Sequence, residues 1–230
     1  RTVLEIGPGG GALTRELLRA GARVVAWEID LAWAAELRRR LGGEALRIVV
    51  GDALELPWER VPPGTLVAGN LPYAVATPIL EGFLLRGTTL PRAVFLVQDE
   101  VAGRLAAVPG SRAYGLLSVT TAALASATVL ARLGPGSFRP VPKVHGAFVA
   151  IERRPPAVPL EDLGAFRSTV AAAFAQRRKT LANSLAAAYG RAQALAALKT
   201  ACIDPRRRAE TLTLAEFVAL HRTLGSGRSR

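Results

Sequence analysis

The chain has 230 residues, is 50% hydrophobic and carries a formal net charge of +12. A core of that size excludes an intrinsically disordered chain, and one cysteine with two histidines argues against a disulfide framework and a metal centre. No stretch predicts a transmembrane helix or a signal peptide, so we expect a cytoplasmic protein without a membrane partner. The chain starts at Arg1 and contains no Met, which predicts that further residues precede it.

Strand-like and helical segments alternate through the first part of the chain. Apolar, β-rich runs predict strands at 2–6, 23–28, 46–50, 66–70 and 93–97, and helical runs lie at 12–20 and 31–41. This alternation predicts a parallel sheet covered on both faces. Two further runs, 127–133 and 147–152, predict an antiparallel pair at the sheet edge.

A second domain is predicted after the proline-rich stretch from Arg153 to Pro159, since proline is excluded from helix interiors and central strands. Helices are predicted at 161–174, 178–189, 192–199 and 214–224. The domains are therefore 1–154 and 155–230.

The two predicted domains differ in charge. The first domain holds 18 Lys and Arg against 13 Asp and Glu, and the second holds 12 against 5. The denser positive charge favours a polyanionic partner, with a solvated Arg-rich surface as the alternative.

A glycine-rich loop lies where the first strand turns into the first helix, in the segment Glu5-Ile6-Gly7-Pro8-Gly9-Gly10-Gly11. Glu28 ends the second strand 21 residues after Gly7, where a carboxylate accepts ribose hydroxyls, and Asp52 follows the third strand. Together they predict an adenosine-containing cofactor, with a structural turn and surface acids as the alternative. No Gly-Lys-Ser/Thr follows, and Glu5 would repel a pyrophosphate, which favours S-adenosylmethionine over a dinucleotide.

Asn70-Leu71-Pro72-Tyr73 directly follows the fourth strand, at the sheet edge where ligands bind in open α/β folds. An amide, a backbone carbonyl and an aromatic ring suit a planar substrate with an exocyclic amine. Two acceptors would hold the amine hydrogens out of the ring plane and make its nitrogen nucleophilic. The alternative is a strand-terminating turn with a core tyrosine.

The ordered motifs of nearly the whole chain resemble the KsgA-type small-subunit (16S) rRNA adenine N6,N6-dimethyltransferase family. Besides those above, the matching motifs are Glu28-Ile29-Asp30, Gly51-Asp52, Gln98 to Ala102, Pro109 to Gly115, Phe138 to Val144, Arg177 to Leu185 and Asp204 to Glu210. The resemblance implies a Rossmann-like class I α/β fold with a mostly parallel seven-stranded sheet and a small helical C-terminal domain. It also implies dimethylation of two adjacent adenosines near the 3′ end of small-subunit rRNA, within the assembling 30S subunit. The target base would flip into the site.

The resemblance also implies site residues. The S-adenosylmethionine set is Glu5, Gly7, Gly9, Gly11, Glu28, Ile29, Asp52, Ala53 and Asn70. The set that holds the target adenine is Asn70, Leu71, Pro72, Tyr73 and Phe138. The set expected to contact rRNA phosphates, with a solvated helix face as the alternative, is Arg177, Arg178, Lys179, Arg206, Arg207 and Arg208. We expect no metal ligand and a monomer.

Some positions depart from the family pattern. The usual N-terminal segment that helps to cover the cofactor is not in the sequence. Gly146 stands where the family commonly has serine, and the preceding His145 is interpreted as a loop residue without a catalytic role. Cys202 is expected to be a buried apolar residue.

Three other functions compete. The related macrolide-resistance enzymes methylate large-subunit rRNA, but the Tyr114-Gly115 region and the run from Arg177 fit the small-subunit family better. A non-catalytic RNA-binding assembly factor could share the fold. The residues that argue against it are Glu28, Asp52, Asn70 and Tyr73. The basic C-terminal region argues against a small-molecule methyltransferase.

Overall fold

The computed structural model describes residues 1–137 and 144–225. They form two compact units, and the chain enters the second unit twice. The first unit contains residues 1–102 and 126–153, and the second contains 103–125 and the residues from Arg154 onward. A single boundary after residue 154 was expected, so the assignment of residues 103–125 to the second unit was not predicted.

The first unit is built on a seven-stranded sheet. Its strands are β1 (Thr2–Ile6), β2 (Arg23–Glu28), β3 (Leu46–Val50), β4 (Leu66–Asn70), β5 (Arg92–Gln98), β6 (Ala125–Leu133) and β7 (Gly146–Arg153). They follow the order β3-β2-β1-β4-β5-β7-β6, with β1 to β5 parallel and β7 antiparallel to β5. The predicted α/β class with a mostly parallel sheet is confirmed. The order reverses between β1 and β4, and ligands bind at such a point in open α/β sheets.

Helices cover both faces of this sheet. These are α1 (Ala12–Arg19) and α2 (Leu31–Leu41) on one face and α3 (Ala76–Arg86) on the other, while α4 (Asp99–Leu105) follows β5 and ends in the second unit. Leu37 of α2 packs on Val24 and Ala26 of β2, and α3 packs on β5 through the edge-to-face rings of Phe83 and Phe95. The sequence patterns did not predict α3 or α4.

Arg153, at the end of β7, fixes the C-terminal end of α3. Its guanidinium donates hydrogen bonds to the carbonyls of Leu84 (2.8 Å), Gly87 (2.9 Å) and Phe83, and it lies over the Phe83 ring at 4.9 Å. Burial lowers the pKa of Arg153 to about 10. These bonds satisfy carbonyls that a helix end leaves without partners.

The second unit is helical. Its helices are α5 (Leu116–Leu124), α6 (Leu163–Phe174), α7 (Leu181–Tyr189), α8 (Arg191–Thr200) and α9 (Leu214–Gly225). Phe174 of α6 stacks on Phe217 of α9, with ring centroids 5.7 Å apart. No helix among the described residues is both long and apolar enough to cross a bilayer.

Two local features of this unit differ from the sequence expectations. The helix expected from residue 178 begins at Leu181, because residues 175–179 form a turn closed by the Lys179 amide and the Gln176 carbonyl (2.9 Å). Cys202 is exposed, not buried, and has φ 55. It lies just past the end of α8, where chains commonly adopt the left-handed conformation to end a helix.

Candidate functional site

A cavity of about 810 Å³ lies against β1, β4 and the glycine-rich loop. Its walls include Glu5, Gly7, Gly9, Gly10 and Asn70. The glycine-rich loop and Asn70, the last residue of β4, therefore line one space, whereas Leu71, Pro72 and Tyr73 are not part of its lining. The remaining wall is largely apolar and comes from α1, β4, β5 and Phe148 of β7.

The glycine-rich loop takes its shape from three left-handed residues. Gly7, Gly9 and Gly11 have φ 65, 49 and 77, a region that favours glycine. A Cβ atom on Gly9 would meet no heavy atom within 4 Å. The backbone at Gly9 therefore leaves open space beside the cavity, as close approach to a ligand requires.

Gly11, at the end of the glycine-rich loop, packs against α2. It is buried and does not line the cavity. A Cβ atom at this position would lie 2.5 Å from Leu37 Cδ1 and 3.0 Å from Leu41 Cδ1. Gly11 therefore allows the loop to pack closely on α2.

Glu28 holds the loop from the end of β2. Its Oε2 accepts a hydrogen bond from the Gly9 amide (2.9 Å), and its Oε1 accepts one from the Asp30 amide (2.9 Å). The side chain is buried. Each carboxylate oxygen has further acceptor capacity, so Glu28 can position the loop and still accept ribose hydroxyls.

Glu5 is a buried acid with an unused acceptor. It is only 1% exposed, and its Oε2 has no hydrogen-bond partner among the described residues. Burial raises the pKa of Glu5 above its ordinary value, and the Glu28 carboxylate acts in the same direction. A buried carboxylate is stabilised by a cation or a donor at hand. Glu5 lines the cavity and therefore fits a ligand that carries an ammonium group.

Two loops at the ends of β2 and β3 carry the other predicted cofactor residues. Asp52 Oδ1 accepts a hydrogen bond from the Leu54 amide (2.8 Å), which begins a short 3-10 turn at Ala53. Ile29 is 65% exposed and Leu54 is 43% exposed. Exposed aliphatic side chains beside a carboxylate suit the face and the edge of a purine ring.

The loop after β4 presents the amide of Asn70 and anchors itself with Leu71. Asn70 is exposed, whereas Leu71 is 1% exposed and its amide donates to the Leu96 carbonyl (3.0 Å). Pro72 is exposed and Tyr73 is half-buried. The Pro72 carbonyl accepts the Val75 amide (3.1 Å), which makes the Leu71 carbonyl the better second acceptor for a substrate amine.

Some predicted positions have no part in this geometry. Phe138 lies outside the described residues. His145 is exposed, and its carbonyl accepts a hydrogen bond from the Asp99 amide (3.0 Å). Within residues 1–137 and 144–225, no group of three His, Cys, Asp or Glu side chains is arranged to bind a metal ion.

The two basic runs come together in the second unit. The amides of Leu181 and Ala182, at the start of α7, donate to the carbonyls of Arg207 (2.8 Å) and Pro205 (3.2 Å). The turn 175–179 and the loop 204–208 are therefore neighbours. We call the exposed side chains on these two segments the basic surface; they are Arg177, Arg178, Lys179, Arg206 and Arg208.

The side chains of the basic runs differ in their partners. Arg207 is tied to Glu216 by an ion pair and to the Thr211 carbonyl (2.7 Å). Arg177 donates to the Arg112 carbonyl (2.8 Å). Among the described residues, Arg178, Lys179 and Arg208 have no ion-pair partner, which leaves them best placed for phosphates.

Sequence reasoning missed two residues near these sites. The Arg177 contact brings the backbone of Arg112, an exposed residue, next to the basic surface, and the Pro109-to-Gly115 motif was the available signal. Trp33 is 47% exposed and would lie 3.6 Å from a Cβ atom on Gly10. Trp33 lies in the first turn of α2, after the Asp30 cap, and nothing in the sequence around it predicted an approach to Gly10.

Comparison with known proteins gives a consistent result. The model of the family described as ribosomal RNA adenine dimethylase matches residues 1–224. A protein named ribosomal RNA small subunit methyltransferase A from Anaeromyxobacter sp. (strain K) is 44% identical over an alignment 237 residues long, which covers 97% of this chain and 83% of that protein. A Myxococcus xanthus protein with the same name is 44% identical over 229 residues, covering 97% of this chain and 81% of that protein.

Two solved structures resemble the whole chain. The crystal structure of the 23S rRNA methyltransferase ErmE has a TM-score of 0.73 at 29% identity, and the match covers 97% of this chain and 91% of that chain. A dimethyladenosine transferase from Plasmodium falciparum has a TM-score of 0.78 at 24% identity, covering 95% of this chain and 88% of that chain. The second likeness supports the fold alone.

Proposed function

We infer that this chain, which belongs to the ribosomal RNA adenine dimethylase family, is an rRNA adenine dimethyltransferase whose substrate is small-subunit rRNA. We propose that it dimethylates the N6 amines of two adjacent adenosines near the 3′ end, in the assembling 30S subunit. The observation that supports this most is the common cavity of Glu5, the glycine-rich loop and Asn70. A cofactor cradle and an amine acceptor share one space there.

S-adenosylmethionine fits the residues at this cavity. The buried, unpartnered Glu5 oxygen suits the ammonium of the methionine part, and the open backbone at Gly9 allows close approach. Glu28 does not line the cavity itself but accepts a hydrogen bond from Gly9 at its wall, and it would hold the ribose. Ile29 and the Asp52-Ala53 pair lie outside the cavity lining and would hold the adenine. When bound, S-adenosylmethionine supplies a methyl group on a sulfonium.

Asn70 and Leu71 would prepare the substrate amine. The Asn70 side-chain oxygen and the Leu71 carbonyl each accept one amine hydrogen and draw it out of the ring plane. This localises the nitrogen lone pair, which the purine ring otherwise withdraws. Tyr73 would stack on the flipped base. The chain needs no strong base, because the methylated amine is acidic and loses its proton afterwards.

Transfer of labelled methyl from S-adenosylmethionine to small subunits lacking this modification tests the function. We expect dimethyladenosine at two adjacent positions near the 3′ end when the modified bases are mapped. Label in large-subunit rRNA alone would indicate the macrolide-resistance type of activity. RNA binding without any incorporation would indicate an assembly factor.

The basic surface would bind rRNA phosphates, chiefly through Arg178, Lys179 and Arg208. We expect the triple change of these residues to Gln to weaken binding of small subunits and to lower the slope of log affinity against log salt by about 2 to 3. The reason is that each phosphate contact releases about one counterion. Binding is measured at several salt concentrations.

The control is the double change Arg39→Gln and Arg40→Gln on α2, where both arginines lie within 4.0 Å of Glu36 in exposed ion pairs. We expect its salt slope to match that of the unmodified chain. If the salt slope fell equally in the control and in the triple variant, the effect would come from net charge alone. That result would contradict a local phosphate site.

A further inference from the structure

The connection between β3 and β4 leaves one face of the sheet partly open. Residues 51–65 contain two 3-10 turns, Ala53–Glu55 and Trp58–Arg60, and no α-helix. Parallel strands are usually joined by a helix that covers the sheet. The face of β1, β2 and β3 that points away from α1 and α2 therefore lacks part of its usual cover.

A groove of about 290 Å³ follows from this short connection, and we call it the Arg47–Arg60 groove. Its lining includes the aliphatic side chains of Leu4, Val25, Val49 and Val61 together with Arg47 and Arg60. The strand register places Leu4, Val25 and Arg47 in one row across the sheet. The groove is thus lined by aliphatic side chains and by two arginines.

The charge at this groove is positive only. Arg47 and Arg60 are exposed, and neither has an ion-pair partner within residues 1–137 and 144–225. Glu59, beside Arg60 in sequence, lies 3.9 Å from Arg86 in an ion pair. Arg23 is exposed and lies on the same face of β2 as Val25. An anion with a flat or apolar body is complementary to such a groove.

We propose that the Arg47–Arg60 groove binds one unpaired nucleotide of the rRNA substrate, outside the site that holds the target adenosine. Arg47 and Arg60 contact the flanking phosphates, and the ribose and base lie on Val25 and Val49. The groove volume is at the lower end of the range for small-ligand clefts, which suits a single nucleotide. This inference rests on the proposed function only in taking RNA as the partner. Binding energy from this remote contact would help to hold the target base at Asn70.

The test compares Arg47→Gln, Arg60→Gln and their combination with Arg38→Gln. Arg38 is exposed on α2, which packs on the opposite face of the sheet, so the control removes an equal charge. The probe is the unmethylated small subunit, and affinity is measured from low to moderate salt. We expect each groove change to weaken binding about threefold to tenfold and to lower the salt slope by about 1, with little change for Arg38→Gln.

A second measurement identifies the occupant directly. Small subunits containing 4-thiouridine are irradiated with the bound enzyme, and the cross-linked peptides are identified. We expect RNA cross-links to the peptides of β3 and of residues 57–62, lost in the double variant. Groove variants that bind like Arg38→Gln would overturn the proposal, as would cross-links of these peptides to ribosomal protein alone. Methyl transfer by the unmodified chain would still stand in either case, which separates this proposal from the proposed function.

Discussion

Replacing Asn70 by alanine is expected to reduce methyl transfer by at least about 100-fold while S-adenosylmethionine still binds with nearly unchanged affinity. The alanine cannot accept an amine hydrogen, so the nitrogen lone pair stays delocalised in the purine ring. Asn70 is exposed at the end of β4, whereas the loop is anchored by buried Leu71, so the fold should not change. Single-turnover transfer and equilibrium cofactor binding measure the two effects separately.

Thr77→Ala is the matched control for this change. Thr77 is a half-buried polar residue in the first turn of α3, seven residues after Asn70 in the chain. We expect this variant to retain transfer within about threefold, since no described contact ties its hydroxyl to the cavity. If Asn70→Ala turned over like the control, Asn70 would have no role in orienting the amine.

Gly11→Ala is expected to destabilise the protein by about 3 kcal/mol, from left-handed strain and overpacking together. Its φ is 77, and the new Cβ atom would lie 2.5 Å from Cδ1 of the buried Leu37, so that side chain must shift within its packing or the loop must distort. We expect Gly9→Ala to destabilise by only about 1 kcal/mol, because its Cβ atom meets nothing within 4 Å. Chemical denaturation of both variants measures the difference.

The same pair separates packing from ligand contact. The methyl group of Gly9→Ala lies in open space beside the cavity, so we expect a clear loss of S-adenosylmethionine affinity despite the smaller loss of stability. Gly11→Ala should lose affinity only as far as the loop distorts. A Gly11→Ala protein as stable as the unmodified chain would show that Gly11 does not serve the packing on α2.

The sequence predicted the parts of the molecule whose signals are local. Five apolar runs separated by glycine and helical patterns predicted the parallel strands, and the structure has strands at each of them. Motifs at strand ends predicted Glu5 and Glu28 as cofactor residues and placed Asn70 at the edge of the sheet where ligands bind. The family resemblance predicted the activity, and the family comparison confirmed it.

The remaining features depend on contacts between distant residues, which no local pattern records. Helix α5 contains no charged residue, and its polar residues Ser118, Thr120 and Thr121 are buried, so it has no polar face of the kind that predicts an amphipathic helix. The sequence predicts a phosphate contact for Arg177 and Arg178 alike. In the structure Arg177 donates a hydrogen bond to the Arg112 carbonyl, whereas Arg178 has no protein partner among the described residues. The sequence does not distinguish Gly11 from the other glycines of the loop, because its close approach to Leu37 is visible only in the structure.

The order in which the chain visits its two units has a consequence for synthesis and for recombination. Residues 103–125 belong to the helical unit, but the sheet still needs residues 126–153, which follow them. During synthesis α5 leaves the ribosome before α6 and α9, its partners in the helical unit. It therefore cannot pack on them until most of the chain has been made. For the same reason, no single crossover point in the gene could exchange one whole unit for that of a relative.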